Sequence, residues 1–141
     1  FTLWVGQLHL PTGSLSYASA GHPGALLSSA EDPSRWLTTA SFPLGFDPSA
    51  RFTCDRVSLK PADRLFLLSD GIYEVPSPSG KLWGRDRFRE TIDAGKQTSL
   101  SATIASCFAA ARGWQQAQHF PDDAAVVGIE LTDCREDTSN G

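Results

Sequence analysis

The sequence contains no methionine, and it has few cysteines, few histidines and a shortage of positive charge. The three cysteines, Cys54, Cys107 and Cys134, are widely spaced and fit neither a disulfide framework nor a zinc ribbon. We therefore expect reduced thiols and a cytoplasmic protein. The net charge of -4 and the isoelectric point of about 5.2 disfavour nucleic-acid binding, which usually requires a basic face.

Long hydrophobic runs and targeting signals are also missing. No apolar run approaches the roughly 18 residues that a membrane-spanning helix needs, so no membrane association is predicted. The first four residues, Phe-Thr-Leu-Trp, lack the basic start of a signal peptide. Because the chain opens inside a strand-like pattern without a methionine, we expect it to be part of a longer polypeptide.

The 141 residues, of which 40% are hydrophobic, suit one globular domain with one core. Alternating patterns predict strands over 2–10, 14–20 and 51–59, the first two joined as a hairpin. A continuous apolar run predicts a central strand over 64–69, and further strands are predicted over 25–27 and 124–131. Helical spacing predicts helices over 83–93 and 100–114, the second with an apolar face of Leu100, Ile104, Cys107, Phe108 and Ala111. Residues 28–50 look loop-like because they contain three prolines, and residues 133–141 form a polar tail. Strands followed by two helices and a final strand indicate an α+β fold.

Two short acidic segments lie at the ends of predicted apolar strands. Asp70-Gly71 follows the strand 64–69, and Asp122-Asp123 precedes the strand 124–131. If these strands are antiparallel neighbours, the carboxylates converge, and their repulsion favours a cation between them. Oxygen ligands suit Mg²⁺ or Mn²⁺, and glycine permits a close backbone approach. The alternative is that these acids merely form turns.

His22 is the second candidate site residue. It stands in the turn Gly21-His22-Pro23-Gly24, where it could be a metal ligand, a general acid or a hydrogen-bonded turn residue. We favour the structural role because no acid or cysteine lies nearby in the sequence. No serine stands in a Gly-x-Ser-x-Gly elbow, so the sequence does not indicate a serine nucleophile.

Five segments, taken in order, resemble the motifs of the SpoIIE/RsbU-type phosphatases, a bacterial branch of the PP2C-like (PPM) family. YASAGHPGALL resembles "NAGHPPPLL", FPLGF resembles "xPLGI", and LKPADRLFLLSDGIYEV resembles "LxPGDxLxLYTDGVxEA". SGKLWGRDRF resembles "GExFGxERL", and PDDAAVVGIEL resembles "DDxTLLVLR". The match extends from Phe1 to about Leu131. Residues 1–132 are thus identified as the C-terminal portion of such a domain, with its N-terminal part missing.

The resemblance implies an αββα sandwich of two antiparallel sheets flanked by helices. It also implies a phosphatase acting on phosphoserine or phosphothreonine, with two Mn²⁺ or Mg²⁺ ions and attack by a metal-bound water. By position in the motifs, Asp70 and Asp122 match metal ligands, whereas Gly71 and Asp123 support them. The implied substrate is a phosphorylated regulatory protein, such as a STAS-type anti-sigma-factor antagonist. A sensory or receiver domain is expected upstream, and an exposed sheet edge would favour a homodimer.

The main departure from the family pattern is a missing carboxylate. Family members carry an earlier aspartate that bridges both metals, but this chain has no acid before Glu31. Two aspartates alone would hold one hydrated ion weakly. Two readings therefore stay open: a phosphatase whose activity needs more than this chain alone, or a pseudophosphatase that acts as a protein-binding module.

Overall fold

The computed structural model describes residues 1–132, and the predicted tail 133–141 lies outside them. Its strands are β1 (Leu3–His9), β2 (Ser14–Ala20), β3 (Ala25–Ser28), β4 (Arg35–Leu37), β5 (Asp55–Ser58), β6 (Arg64–Leu68) and β7 (Val126–Glu130). Its helices are α1 (Gly84–Ala94) and α2 (Leu100–Gln115). None of the helices in this part of the chain is long and apolar enough to cross a membrane.

The strands form two antiparallel sheets. The first sheet has the order β1-β2-β5, and the second has the order β4-β3-β6-β7. The predicted β1–β2 hairpin is confirmed, with Leu3 opposite Ala20 and His9 opposite Ser14. The apolar strand β6 lies between β3 and β7, as its continuous hydrophobic run predicts.

The second sheet is the middle layer of the described fold, because its two faces pack into different cores. One face packs against the first sheet through a cluster of buried, mostly aliphatic side chains. These are Leu15, Tyr17, Ala25, Leu27, Leu37, Leu59 and Leu65. The other face meets the helices around Leu26, Phe66, Phe88, Ile92 and Cys107. The predicted α+β sandwich of two antiparallel sheets with flanking helices is confirmed.

Helix α2 forms as predicted. The Ser99 side chain caps its start by accepting a hydrogen bond from the Ala102 backbone N–H at 3.2 Å. The predicted apolar face, Leu100, Ile104, Cys107, Phe108 and Ala111, packs in the core against the second sheet. Burial raises the pKa of Cys107 to about 12, so this thiol is a core residue that remains protonated at neutral pH.

The structure corrects two boundaries. Residues 28–50 were predicted to be a loop, but they contain β4, in which the fully buried Leu37 pairs with Ala25. A three-residue strand is too short to show an alternating pattern. The strand predicted over 51–59 is shorter in the structure, where β5 pairs with β2 only as far as Tyr17. Beyond that point β2 bonds to a different segment, because the Ser19 N–H donates to Thr39 Oγ1 at 2.8 Å.

Candidate metal centre

The antiparallel pairing of β6 and β7 brings the two acidic segments together. Leu68, at the end of β6, lies opposite Val126, at the start of β7. A short 3-10 turn over Asp70–Ile72 follows β6 after one residue, Ser69, and Asp122-Asp123 lies just before β7. The predicted convergence of the two acidic strand ends is therefore confirmed for the backbone.

Ser69 ties the two segments to each other. Its N–H donates to the Ala125 carbonyl at 3.0 Å, which extends the strand pairing by one step. Its hydroxyl donates to the Asp123 carbonyl at 2.8 Å and accepts from the Ala125 N–H at 2.9 Å. Sequence reasoning did not select this residue, because its side chain bonds to main-chain groups that are distant in the sequence and that no motif marks.

Gly71 is buried against the backbone of the second acidic segment. A Cβ atom built on it would lie 2.4 Å from the Asp123 carbonyl oxygen and 2.9 Å from the Asp123 carbonyl carbon. Real Cβ atoms do not approach backbone atoms this closely, so only glycine fits here without a shift. The predicted close backbone approach at Gly71 is confirmed.

The side chains of Asp70, Asp122 and Asp123 are exposed at this junction. The Asp123 N–H donates to Asp122 Oδ1 at 2.7 Å, which orients the Asp122 carboxylate. Asp70 accepts through its main-chain carbonyl from the N–H groups of Tyr73 and Glu74, at 3.0 and 2.9 Å. Within residues 1–132, none of the salt bridges involves any of the three acids.

This donor set fits a hard cation, but only in part. Two carboxylates on adjoining backbone segments supply the oxygen ligands that Mg²⁺ and Mn²⁺ prefer. In the described part of the chain, however, no three His, Cys, Asp or Glu side chains are grouped to hold a metal. The roles of Asp70 and Asp122 as ligands, and of Gly71 and Asp123 as supports, remain predictions.

His22 takes the structural role expected of it. Its Nδ1 accepts a hydrogen bond from the Gly24 N–H at 3.0 Å, which closes the turn between β2 and β3. Burial is the main cause that lowers the pKa of His22. The Asp70 carboxylate raises this pKa, and the Arg85 guanidinium lowers it further. The imidazole is therefore neutral at pH 7, with Nδ1 as the acceptor.

The comparisons with known proteins agree with this geometry. The family model described as "Stage II sporulation protein E (SpoIIE)" matches residues 1–132. Protein IcfG from Synechocystis sp. is 31% identical over 93 residues, which is 66% of this chain and 15% of IcfG. This chain thus spans a small part of that relative.

Solved structures share the fold. The phosphatase domain of SpoIIE from Bacillus subtilis (Mn presoaked) has a TM-score of 0.71 and 17% identity, covering 93% of this chain and 56% of that chain. The RsbU and RsbW domains of Rv1364c from Mycobacterium tuberculosis have a TM-score of 0.72 and 22% identity, covering 93% of this chain and 36% of that chain. Together with the family match over residues 1–132, they show that the chain belongs to the SpoIIE family and has the SpoIIE/RsbU-type PP2C-like fold.

Proposed function

We propose that this chain forms part of a metal-dependent phosphatase that hydrolyses phosphoserine or phosphothreonine on a regulatory protein. The observation that carries the proposal is the meeting of Asp70-Gly71 with Asp122-Asp123 at the β6–β7 junction. Membership of the SpoIIE family supports it. Because the chain spans 56% of the SpoIIE phosphatase chain, the activity of the whole protein is part of the proposal.

Asp70 and Asp122 would hold Mn²⁺ or Mg²⁺ at this junction. Such an ion, when bound, supplies a hydroxide source near neutral pH and offsets charge on the phosphoryl oxygens. The protein's own contribution is positioning. The Asp123 N–H orients the Asp122 carboxylate, and Ser69 holds the Asp123 backbone against the turn that carries Asp70. A second ion would need a further carboxylate beside these two, and among the described residues no third ligand is grouped with them.

The proposed substrate is a phosphorylated regulatory protein, such as a STAS-type anti-sigma-factor antagonist. A sensory or receiver domain in the same polypeptide would control the reaction. Both proposals come from the motif resemblance and the family match rather than from contacts within the structure.

The alternative function is a pseudophosphatase that binds a protein partner without hydrolysis. The observation favouring it is the lack of an acid before Glu31, together with the absence of any group of three metal-ligating side chains in the described residues. An aspartate that ends an apolar strand upstream of Phe1 in the parent protein would favour the enzyme instead.

Metal removal tests the proposed activity. We expect the full-length parent protein to hydrolyse a phosphoserine protein in Mn²⁺, to lose this activity in EDTA, and to regain it with excess Mn²⁺. Hydrolysis that is unchanged by EDTA would contradict the metal-dependent mechanism. Absent hydrolysis combined with a Mn²⁺-dependent rise in melting temperature would favour the binding module, because a ligand at 100 times its Kd stabilises by about 2.7 kcal/mol.

A further inference from the structure

Arg85 lies in the first turn of α1 and is held in a defined orientation. Its Nη2 donates to the Pro23 carbonyl at 2.8 Å, and its Cζ lies 3.9 Å from the centre of the Trp36 ring. Its Nε is buried without a hydrogen-bond partner. Because Nε is enclosed by the protein, a ligand cannot reach it. Within the described residues Nη1 is neither buried nor hydrogen-bonded, so it is the part of the guanidinium that is open to a ligand.

The start of α1 is joined to the segment that follows Asp70. The Gly84 N–H donates to the Tyr73 carbonyl at 2.8 Å, and Tyr73 is three residues beyond Asp70. The carbonyl that Arg85 contacts belongs to Pro23, the neighbour of His22. These two hydrogen bonds join the start of α1 to the segment that follows Asp70, and the Arg85 side chain to the turn that carries His22.

The Asp70 carboxylate and the Arg85 guanidinium both affect His22 and Tyr73. Burial lowers the pKa of His22 and raises that of Tyr73, and in each case the Asp70 carboxylate raises the pKa and the Arg85 guanidinium lowers it. Among residues 1–132, no carboxylate forms a salt bridge with Arg85. If a cation held by Asp70 bound the phosphoryl group, the guanidinium would stay available to another part of the same substrate.

We propose that Arg85 is a specificity-determining residue that binds an acidic side chain close to the phosphoserine of the substrate protein. The inference rests on the proposed phosphatase function and adds a substrate class to it: phosphoproteins with an aspartate or glutamate near the phosphorylated residue. With Nε buried and Nη2 bonded to the Pro23 carbonyl, the guanidinium, held against the indole ring, would meet this carboxylate through Nη1 and its positive charge.

Arg87 provides a matched control on the same helix. It also lies over a tryptophan, with its Cζ 4.3 Å from the centre of the Trp114 ring, and its Nη1 donates to the Trp83 carbonyl at 3.1 Å. Its contacts do not include the His22–Pro23 turn. Arg85 and Arg87 thus make the same two kinds of contact in different places.

The test compares two phosphoserine peptides with the full-length Mn²⁺-loaded protein. One peptide carries aspartate at the three positions on each side of the phosphoserine, and the other carries asparagine there. We expect wild type to prefer the acidic peptide by about tenfold in kcat/KM, Arg85→Gln to lose the preference, and Arg87→Gln to keep it. Arg85→Glu should prefer a lysine-flanked peptide, which a purely structural role would not produce.

Peptide binding, measured by fluorescence anisotropy, separates this inference from the proposed function. An acidic preference in binding that depends on Arg85, without any turnover, would overturn the phosphatase proposal and support the Arg85 site. Turnover in which Arg85→Gln retains the wild-type preference would overturn the Arg85 proposal alone. An equal loss of kcat/KM for both peptides in Arg85→Gln would also overturn it, because the guanidinium would then serve the phosphoryl group or the fold.

Discussion

Replacing Asp70 with asparagine in the full-length parent protein is expected to lower kcat at least about 100-fold in Mn²⁺. The substitution keeps the size of the side chain but removes the charge and one of the oxygen ligands. Because the main-chain carbonyl of Asp70 makes its turn contacts with Tyr73 and Glu74, the fold should persist. Asp122→Asn should have a similar effect, measured as steady-state hydrolysis of a phosphoserine protein.

Asp32→Asn is the matched control for these two substitutions. Asp32 is an exposed acid that follows β3, and it therefore lies at the Arg64 end of β6, opposite to Asp70. We expect its replacement to leave kcat within about twofold of wild type, because surface substitutions far from a site have small effects. Activity that survives in both Asp70→Asn and Asp122→Asn would rule out their proposed role.

Replacing Gly71 with alanine is expected to lower the free energy of unfolding by about 1–3 kcal/mol. The added methyl group would meet the Asp123 carbonyl oxygen at 2.4 Å, and a backbone atom cannot move aside as a flexible side chain can. The strand-end segments must then separate, which should also weaken Mn²⁺ binding. Urea unfolding and calorimetric titration with Mn²⁺ measure the two effects.

Gly113→Ala is the control for the general effect of adding a methyl group. Gly113 lies in α2 with nothing within 4 Å of the position of its added Cβ. The substitution should raise the free energy of unfolding by about 0.5–1 kcal/mol, because alanine is the better helix former. If Gly71→Ala is as stable as wild type and binds Mn²⁺ equally well, the close contact with Asp123 is not a requirement of the fold.

The strands that pair over several residues could be predicted from the sequence, because one or both of their faces are apolar. The β1–β2 hairpin and the central position of β6 follow from such patterns. Strand β4 could not be predicted, since its three residues are fixed by pairing with β3 rather than by a pattern of their own. The limited length of β5 depends on the Ser19–Thr39 contact, which joins residues far apart in the sequence.

The candidate site also contains features that could be predicted from the sequence and features that could not. The meeting of Asp70-Gly71 with Asp122-Asp123 could be predicted, because antiparallel strands place the end of one beside the start of the other. The roles of Ser69 and Arg85 could not, because each side chain bonds to a distant backbone carbonyl, that of Asp123 or Pro23. Any residue has a carbonyl, so the sequence carries no signal for these contacts.

Anomalous diffraction from a Mn²⁺-soaked crystal of the full-length protein tests most directly whether Asp70 and Asp122 share a cation. We expect a manganese peak within about 2.5 Å of a carboxylate oxygen from each of these two residues. A peak bound by other residues, or no peak at the β6–β7 junction at saturating Mn²⁺, would contradict the proposed metal centre.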